Sequence, residues 1–263
     1  MTLTAATRTA IHAHLLQEGK RYITDGVTAA DKSELQPFQS RLAPGPFATW
    51  RRWNEHSFST RSGSWFQQIA LLVARQYHAE AQKEYVLTGD IRNAAQAHIS
   101  EILNLMDRKN IADRRHPNRD KDIEEVLTVQ GDSGTPTTTR SDLFVRTHSG
   151  RELYFEMKTP QPNKSTCIDM KRRMLTISAL RKGHDAIALA GCAYNPFGEG
   201  SDFAANSKGF VPQFLDINRD LIIGQAFWEM IGTSTTYDEL LEIADAVGKE
   251  LNPLFLQLLS DAT

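Results

Sequence analysis

The chain has 263 residues, 40% hydrophobic and 24% charged, with a net charge of −2. That length can bury a sizeable core as one domain or two, and no apolar run approaches the roughly 20 residues of a membrane span. The near-neutral balance gives no global basic signature, so a nucleic-acid reading has to rest on local clusters. The N-terminus lacks a signal-peptide h-region, its apolar residues being spaced as on a helix. Cys167 and Cys192 fit no disulfide or metal spacing, which makes a reducing cytoplasm the expected localisation.

In chain order, residues 5–23 read as a helix. Residues 31–60, punctuated by Pro37, Pro44 and Pro46, read as loops with a short helix. Ser64 is expected to cap a helix running to about Lys83, with Trp65, Ile69, Leu72, Val73 and Ala74 on one stripe. A second helix is expected over 91–108, from the spacing of Ala95, Ile99, Ile102, Leu103 and Met106. Arg108 to Asp122 is a basic polar stretch. Val126–Val129 suggests a strand, and GDSGTPTTTR reads as turns. A hairpin follows, then the breaker TPQPN. An amphipathic helix is expected over 165–182, a small-residue strand from Ala186 to Ala193, a long loop, and a helical tail from about Arg219. The expected class is α/β (mixed α+β): a central mixed sheet flanked by helices. It is read as one domain over 1–263, with a core of about 57–200 and a helical extension of about 215–263.

The hairpin can be read in register. Gly150 closes the turn His148-Ser149-Gly150 at the position where a three-residue loop needs a positive φ. Thr147 then pairs with Arg151, Val145 with Leu153 and Asp142 with Glu156. Opposed residues share a face and alternate residues switch faces. Leu143, Val145, Leu153, Phe155 and Met157 fall on one face. Asp142, Phe144, Tyr154, Glu156 and Lys158 fall on the other, and a slip of one residue would separate the acids and expose the apolar set.

Two neighbouring carboxylates repel unless a cation neutralises them, and a hard divalent ion such as Mg2+ also binds phosphate oxygens and water. Lys158, two residues from Glu156, points the same way and can orient or deprotonate water or stabilise negative charge. That set suits metal-assisted phosphodiester hydrolysis. The bland alternative is a solvated sheet face on which Glu-x-Lys is mere strand alternation.

Asp142 followed by Glu156-Met157-Lys158 resembles the PD-(D/E)XK nuclease superfamily, with Ser141 where a Pro is usual. LYFEMKTPQPNK, and IIGQAFWEMIG with its following YDELLEI, resemble type II restriction endonucleases of the TdeIII family. The resemblance implies Mg2+-dependent double-strand cleavage at a short palindromic site, GGNCC, within a restriction-modification system that includes a cognate DNA methyltransferase. Asp142, Glu156 and the backbone carbonyl of Met157 would hold the metal, Lys158 would assist the attacking water, and a homodimer would present one site to each strand. Other superfamily members place a further acid on an early helix; Gln67, Gln68, Glu80 and Glu84 are candidates that do not align. The rivals are a repair nuclease of the same superfamily and a DNA-binding module without chemistry.

Gln161, Asn163, Lys164, Lys171, Arg172 and Arg173 follow the acids and are candidate DNA contacts. The blander reading is a rigid strand-to-helix connection for Gln161, Asn163 and Lys164, and a solvated helix face for Lys171, Arg172 and Arg173. The basic stretch Arg108, Lys109, Arg114, Arg115, Arg119 and Lys121 is weakened by Asp113, Asp120 and Asp122. Gly131-Asp132-Ser133-Gly134 matches a serine-protease nucleophile sequence only superficially, since such enzymes are strand-rich barrels. Phe227, Trp228, Ile231, Leu254 and Phe255 would serve as core or as dimer surface.

Overall fold

The computed structural model describes residues 2–24, 55–131, 133–158, 161–198 and 200–261. The expected loops and short helix of 31–60 fall largely outside these residues, as does Asp132. The described helices are α1 (Ala5–Thr24), α2 (Glu55–Tyr77), α3 (Asn93–Met106), α4 (Arg119–Thr128), α5 (Lys164–Leu180), α6 (Phe203–Asn206), α7 (Phe210–Phe214), α8 (Gln225–Ile231) and α9 (Thr236–Asp261). The strands are β1 (Glu80–Arg92), β2 (Gly134–Arg146), β3 (Glu152–Met157), β4 (Ala186–Cys192) and β5 (Leu221–Ile223). The chain divides into two compact units: residues 1–77, 193–201 and 224–263, and residues 78–192 and 202–223.

The first unit is helical. α1 packs on α9 and α2, and α8 packs on both α2 and α9. A Cβ on Gly19 would come within 2.5 Å of a Leu251 methyl, so α1 and α9 approach closely at this point. Phe227, Trp228 and Ile231 are fully buried here, which makes them core, and the Trp228 indole donates to the Ala193 carbonyl at 2.7 Å. Leu254 is half-buried, and the Phe255 side chain lies outside the described residues.

The second unit holds the sheet, in the order β1-β2-β3-β4-β5. β1, β2 and β3 are antiparallel neighbours, and β3, β4 and β5 run parallel. The β3-α5-β4 crossover supplies the long connection that parallel pairing requires. α5 packs against β1, β2 and β4 and is flanked by α3 and α4. Every residue of β3 is buried, so the sheet is covered on both faces at this strand.

Several expectations are corrected. The helix expected from Ser64 to Lys83 begins at Glu55 and ends at Tyr77, and Glu80 opens a strand. Val126 lies on α4, not on a strand; Asn118 caps that helix by accepting from the Lys121 N–H, and Asp120 and Asp122 occupy its first turn. The stretch expected to turn, from Gly134 to Arg140, is extended and pairs along β1. β3 pairs with β2 only from Leu143, so Pro136 sits where β2 has one open side, a place that tolerates proline. Leu221–Ile223 is a parallel edge strand where a helix was expected.

Glu84 takes φ 52, uncommon for a residue with a side chain. The ladder pairs Tyr85 with Ser141, yet the Tyr85 ring stacks on Phe144 at 4.2 Å, so strand alternation is interrupted there. Cys167 and Cys192 are buried free thiols, and burial pushes them up to about 11 and about 12. Neither has the character of a reactive thiolate.

Candidate active site

The β2–β3 hairpin has the register read from its sequence. Leu143 pairs with Phe155, Phe144 with Tyr154, Val145 with Leu153 and Arg146 with Glu152. The Thr147 N–H donates to the Arg151 carbonyl at 2.9 Å, and Gly150 closes the turn at φ 89. The same register sets Asp142 across from Glu156. Both acids are buried, at 4% and 6% exposure, so they do not belong to a solvated strand face. Burying two carboxylates requires charged partners.

Those partners are present. Asp142 Oδ2 accepts from the Met157 backbone N–H at 2.8 Å and from Lys158 Nζ at 3.0 Å. Lys158 Nζ also lies 2.9 Å from Glu156 Oε1, so one ammonium bridges both acids. Burial lowers the Lys158 pKa, but the attraction of Glu156 and Asp142 outweighs it and leaves the amine above its ordinary value. The group is therefore a held cation. Arg173 on α5 donates to both Glu156 oxygens, at 2.8 and 2.9 Å.

The sequence placed Arg173 only among candidate DNA contacts and missed its bond to Glu156. A signal for it existed. Met170, Arg173, Met174, Ile177 and Arg181 recur at helical spacing, so both arginines lie along the stripe that packs on the sheet. Arg181 repeats the arrangement further along, with Nε 2.9 Å from Glu152 and donating to the Tyr154 hydroxyl at 2.8 Å.

The other candidate contacts divide. Gln161 is exposed, as is Arg172, which donates to Ser100 Oγ at 3.3 Å. Asn163 caps α5, its side-chain oxygen accepting from the Thr166 N–H at 2.9 Å. Lys164, half-exposed, pairs with Asp107 at 2.5 Å. Thr159 and Pro160 lie outside the described residues.

Lys171 is corrected. It is 1% exposed and fixed between Asp122 at 2.9 Å and Asp220 at 2.8 Å, out of reach of a phosphate. Two of the six residues of the upstream basic stretch are likewise engaged internally. Arg115 binds Asp122 and Glu125, and Arg119, buried, donates to the Ala188 carbonyl and meets Asp220. Sequence reasoning missed this network, because its members come from α4 and the segment before it, α5 and the residue before β5.

The further acid is not found beside the pair among the described residues. Glu84 and Glu80, on β1 and not on a helix, pair with Arg140 and Arg146. Among the described residues no three His, Cys, Asp or Glu side chains gather as a metal cluster. The donors present are two buried carboxylates, hard oxygens of the kind Mg2+ takes in small number beside its own water. Both already attend a single cationic centre at Lys158 Nζ, so the residues fit such an ion.

Comparison with known proteins gives a consistent picture. The profile of the type II restriction endonuclease family HinfI matches residues 8–248. The type II restriction enzyme HgiCII of Herpetosiphon aurantiacus is 34% identical over 229 residues, covering 85% of this chain and 82% of that protein. HgiEI and HgiBI, type II restriction enzymes of the same organism, are 33% and 32% identical, each covering 82% of this chain and 78% of their own lengths.

Proposed function

The chain belongs to the HinfI family of type II restriction endonucleases, and from that premise we propose that it cuts both strands of a short palindromic DNA site with Mg2+ held by Asp142 and Glu156. The observation that carries this reading is the pair of buried acids meeting one ammonium at 3.0 and 2.9 Å. On this reading Asp142 with Glu156-Met157-Lys158 is a PD-(D/E)XK site, and the Met157 carbonyl would complete the protein's share of the ligands. When bound, the ion polarises the scissile phosphate and lowers the pKa of an attacking water.

This chain's own residues do the rest. The Met157 N–H fixes one Asp142 oxygen, so the acid presents a defined edge. Lys158, kept protonated by the acids, stabilises negative charge developing on the phosphate and orients water. Gln161, Lys164 and Arg172 offer polar or cationic contact to the duplex backbone, and Asn163 holds the start of α5 in position. GGNCC, suggested by the TdeIII resemblance, is the proposed site. A palindrome is matched by a twofold homodimer, and a cognate methyltransferase would protect the host's own copies of the site.

The test is incubation of purified protein with long duplex DNA, in Mg2+ and in chelator. Discrete fragments in Mg2+ alone are expected, and Glu156→Ala should stop cleavage while retaining DNA binding. Smearing, or cutting restricted to branched DNA, would point to a repair nuclease. Binding without cleavage in the presence of Mg2+ would leave a DNA-binding module.

A further inference from the structure

The charges around the two acids balance in a way that constrains when a divalent ion can enter. Asp142 and Glu156 carry two negative charges, and Lys158 and Arg173 carry two positive ones. Arg173 engages both oxygens of Glu156, and Lys158 shares one of them. A divalent ion arriving at a buried, already neutral cluster would leave an excess of two positive charges in a poorly screened place. That excess is relieved when a cation leaves the acids or when an anion arrives. The side chains of Arg173 and Lys158 are 36% and 32% exposed, while those of the acids are 6% and 5%. The cations therefore have a path to solvent and the carboxylates do not. Arg173 sits on a helix and reaches Glu156 through a long side chain, so it can swing away without disturbing β3.

We infer that Arg173 is an exchangeable counter-ion for Glu156, which passes from that carboxylate to a DNA phosphate as the divalent ion enters, so that metal and DNA bind cooperatively. This rests on the proposed Mg2+ site and adds the order in which the site fills. Without DNA the guanidinium competes with the ion for both Glu156 oxygens. With DNA in place, a phosphate supplies negative charge to the ion and a new partner to the arginine. The coupling is reciprocal: whatever factor DNA adds to metal affinity, the metal adds to DNA affinity. Arg173 is thus a positioning residue, and its effect appears in metal binding before any cleavage.

The experiment is calorimetric titration of the intact protein with Mg2+, alone and with a duplex that the enzyme binds but does not cut. In the wild type the duplex should tighten Mg2+ binding by about tenfold or more, within the usual range of coupling between sites. Arg173→Gln should bind Mg2+ about tenfold tighter without DNA, and the duplex should then add a smaller factor than it adds in the wild type. Arg181→Gln breaks a similar contact at the other end of α5 and should leave Mg2+ affinity unchanged. Thermal melting, with Arg173→Lys as a second variant that keeps the charge on a shorter side chain, shows whether the variants are folded.

An Arg173→Gln protein whose Mg2+ affinity is unchanged or weaker would overturn the inference. So would a wild type whose Mg2+ affinity ignores the duplex. If the wild type does not cut DNA in Mg2+ at all, the proposed function itself fails, which the cleavage assay shows separately.

Discussion

Lys171 offers the sharpest test of whether burial or sequence position decides what a basic residue on α5 does. Its ammonium has 1% exposure and contacts Asp122 at 2.9 Å and Asp220 at 2.8 Å. Lys171→Met keeps most of the volume and removes the charge. Breaking a buried ion pair from one side costs about 3–5 kcal/mol, because the remaining charge is stranded. Two carboxylates are stranded here, but not wholly. Asp122 retains Arg115 at 2.6 Å, and Asp220 retains Arg119 at 3.4 Å. The cost should therefore fall near the lower end, about 3 kcal/mol. At about 2–4 °C per kcal/mol for a chain of this size, the melting temperature should drop by about 6–12 °C. Adding Asp122→Asn and Asp220→Asn should not recover that loss, because it would strand Arg115 and Arg119 in their turn. The assay is thermal melting by circular dichroism, run beside DNA binding as a function of salt. A melting temperature within about 2 °C of wild type, with weaker DNA binding and a shallower salt dependence, would refute the burial argument and return Lys171 to the DNA surface.

Two smaller changes test the hairpin. Gly150 adopts φ 89 with open space where a Cβ would stand, so Gly150→Ala should cost only the conformational penalty of about 1–2 kcal/mol; a variant as stable as wild type in urea would contradict the turn geometry. Ser141, beside Asp142, is 2% exposed and its hydroxyl has no hydrogen-bond partner among the described residues. Ser141→Ala should stabilise the fold by about 1 kcal/mol by removing an unsatisfied group, and a lower melting temperature would show that the hydroxyl has a partner in solution.

The hairpin was legible because a period of two and a single glycine fix its register, and register decides which side chains share a face. α5 was legible for a similar reason, from Cys167, Met170, Met174 and Ile177. β1 was not. Its opening, Glu80-Ala81-Gln82-Lys83-Glu84, is built of good helix formers, and only pairing with β2 some sixty residues later makes it a strand. The threonines of β2 carry strand propensity, but Pro136 and the glycines before it suggested turns. α4 has one fully buried apolar residue, Val126, so periodicity was too weak to outweigh a local strand-like run. β5 is three residues long, too short for any period to register.

Within the site, the residues close in sequence were found and those brought by other elements were not. Two clusters among the described residues share a chemistry, acids held by more than one basic side chain: Asp142 and Glu156 with Lys158 and Arg173, and Asp122 and Asp220 with Lys171, Arg115 and Arg119. Composition does not distinguish them, but solvent access does. Lys171 is sealed at 1% exposure, whereas Lys158 and Arg173 keep about a third of their side chains in contact with solvent. A sealed cation cannot be exchanged for a metal ion or a phosphate without unfolding its surroundings, so the second cluster ties α4, α5 and the start of β5 together. A cation with a path to solvent can be exchanged, and the acids beneath it stay in place. Lys171 and Arg173 are two residues apart on one helix, which turns them by about 200° relative to each other. That rotation sends one toward Asp122 and Asp220 and the other toward Glu156, and it divides the basic run Lys171-Arg172-Arg173 between scaffold and site.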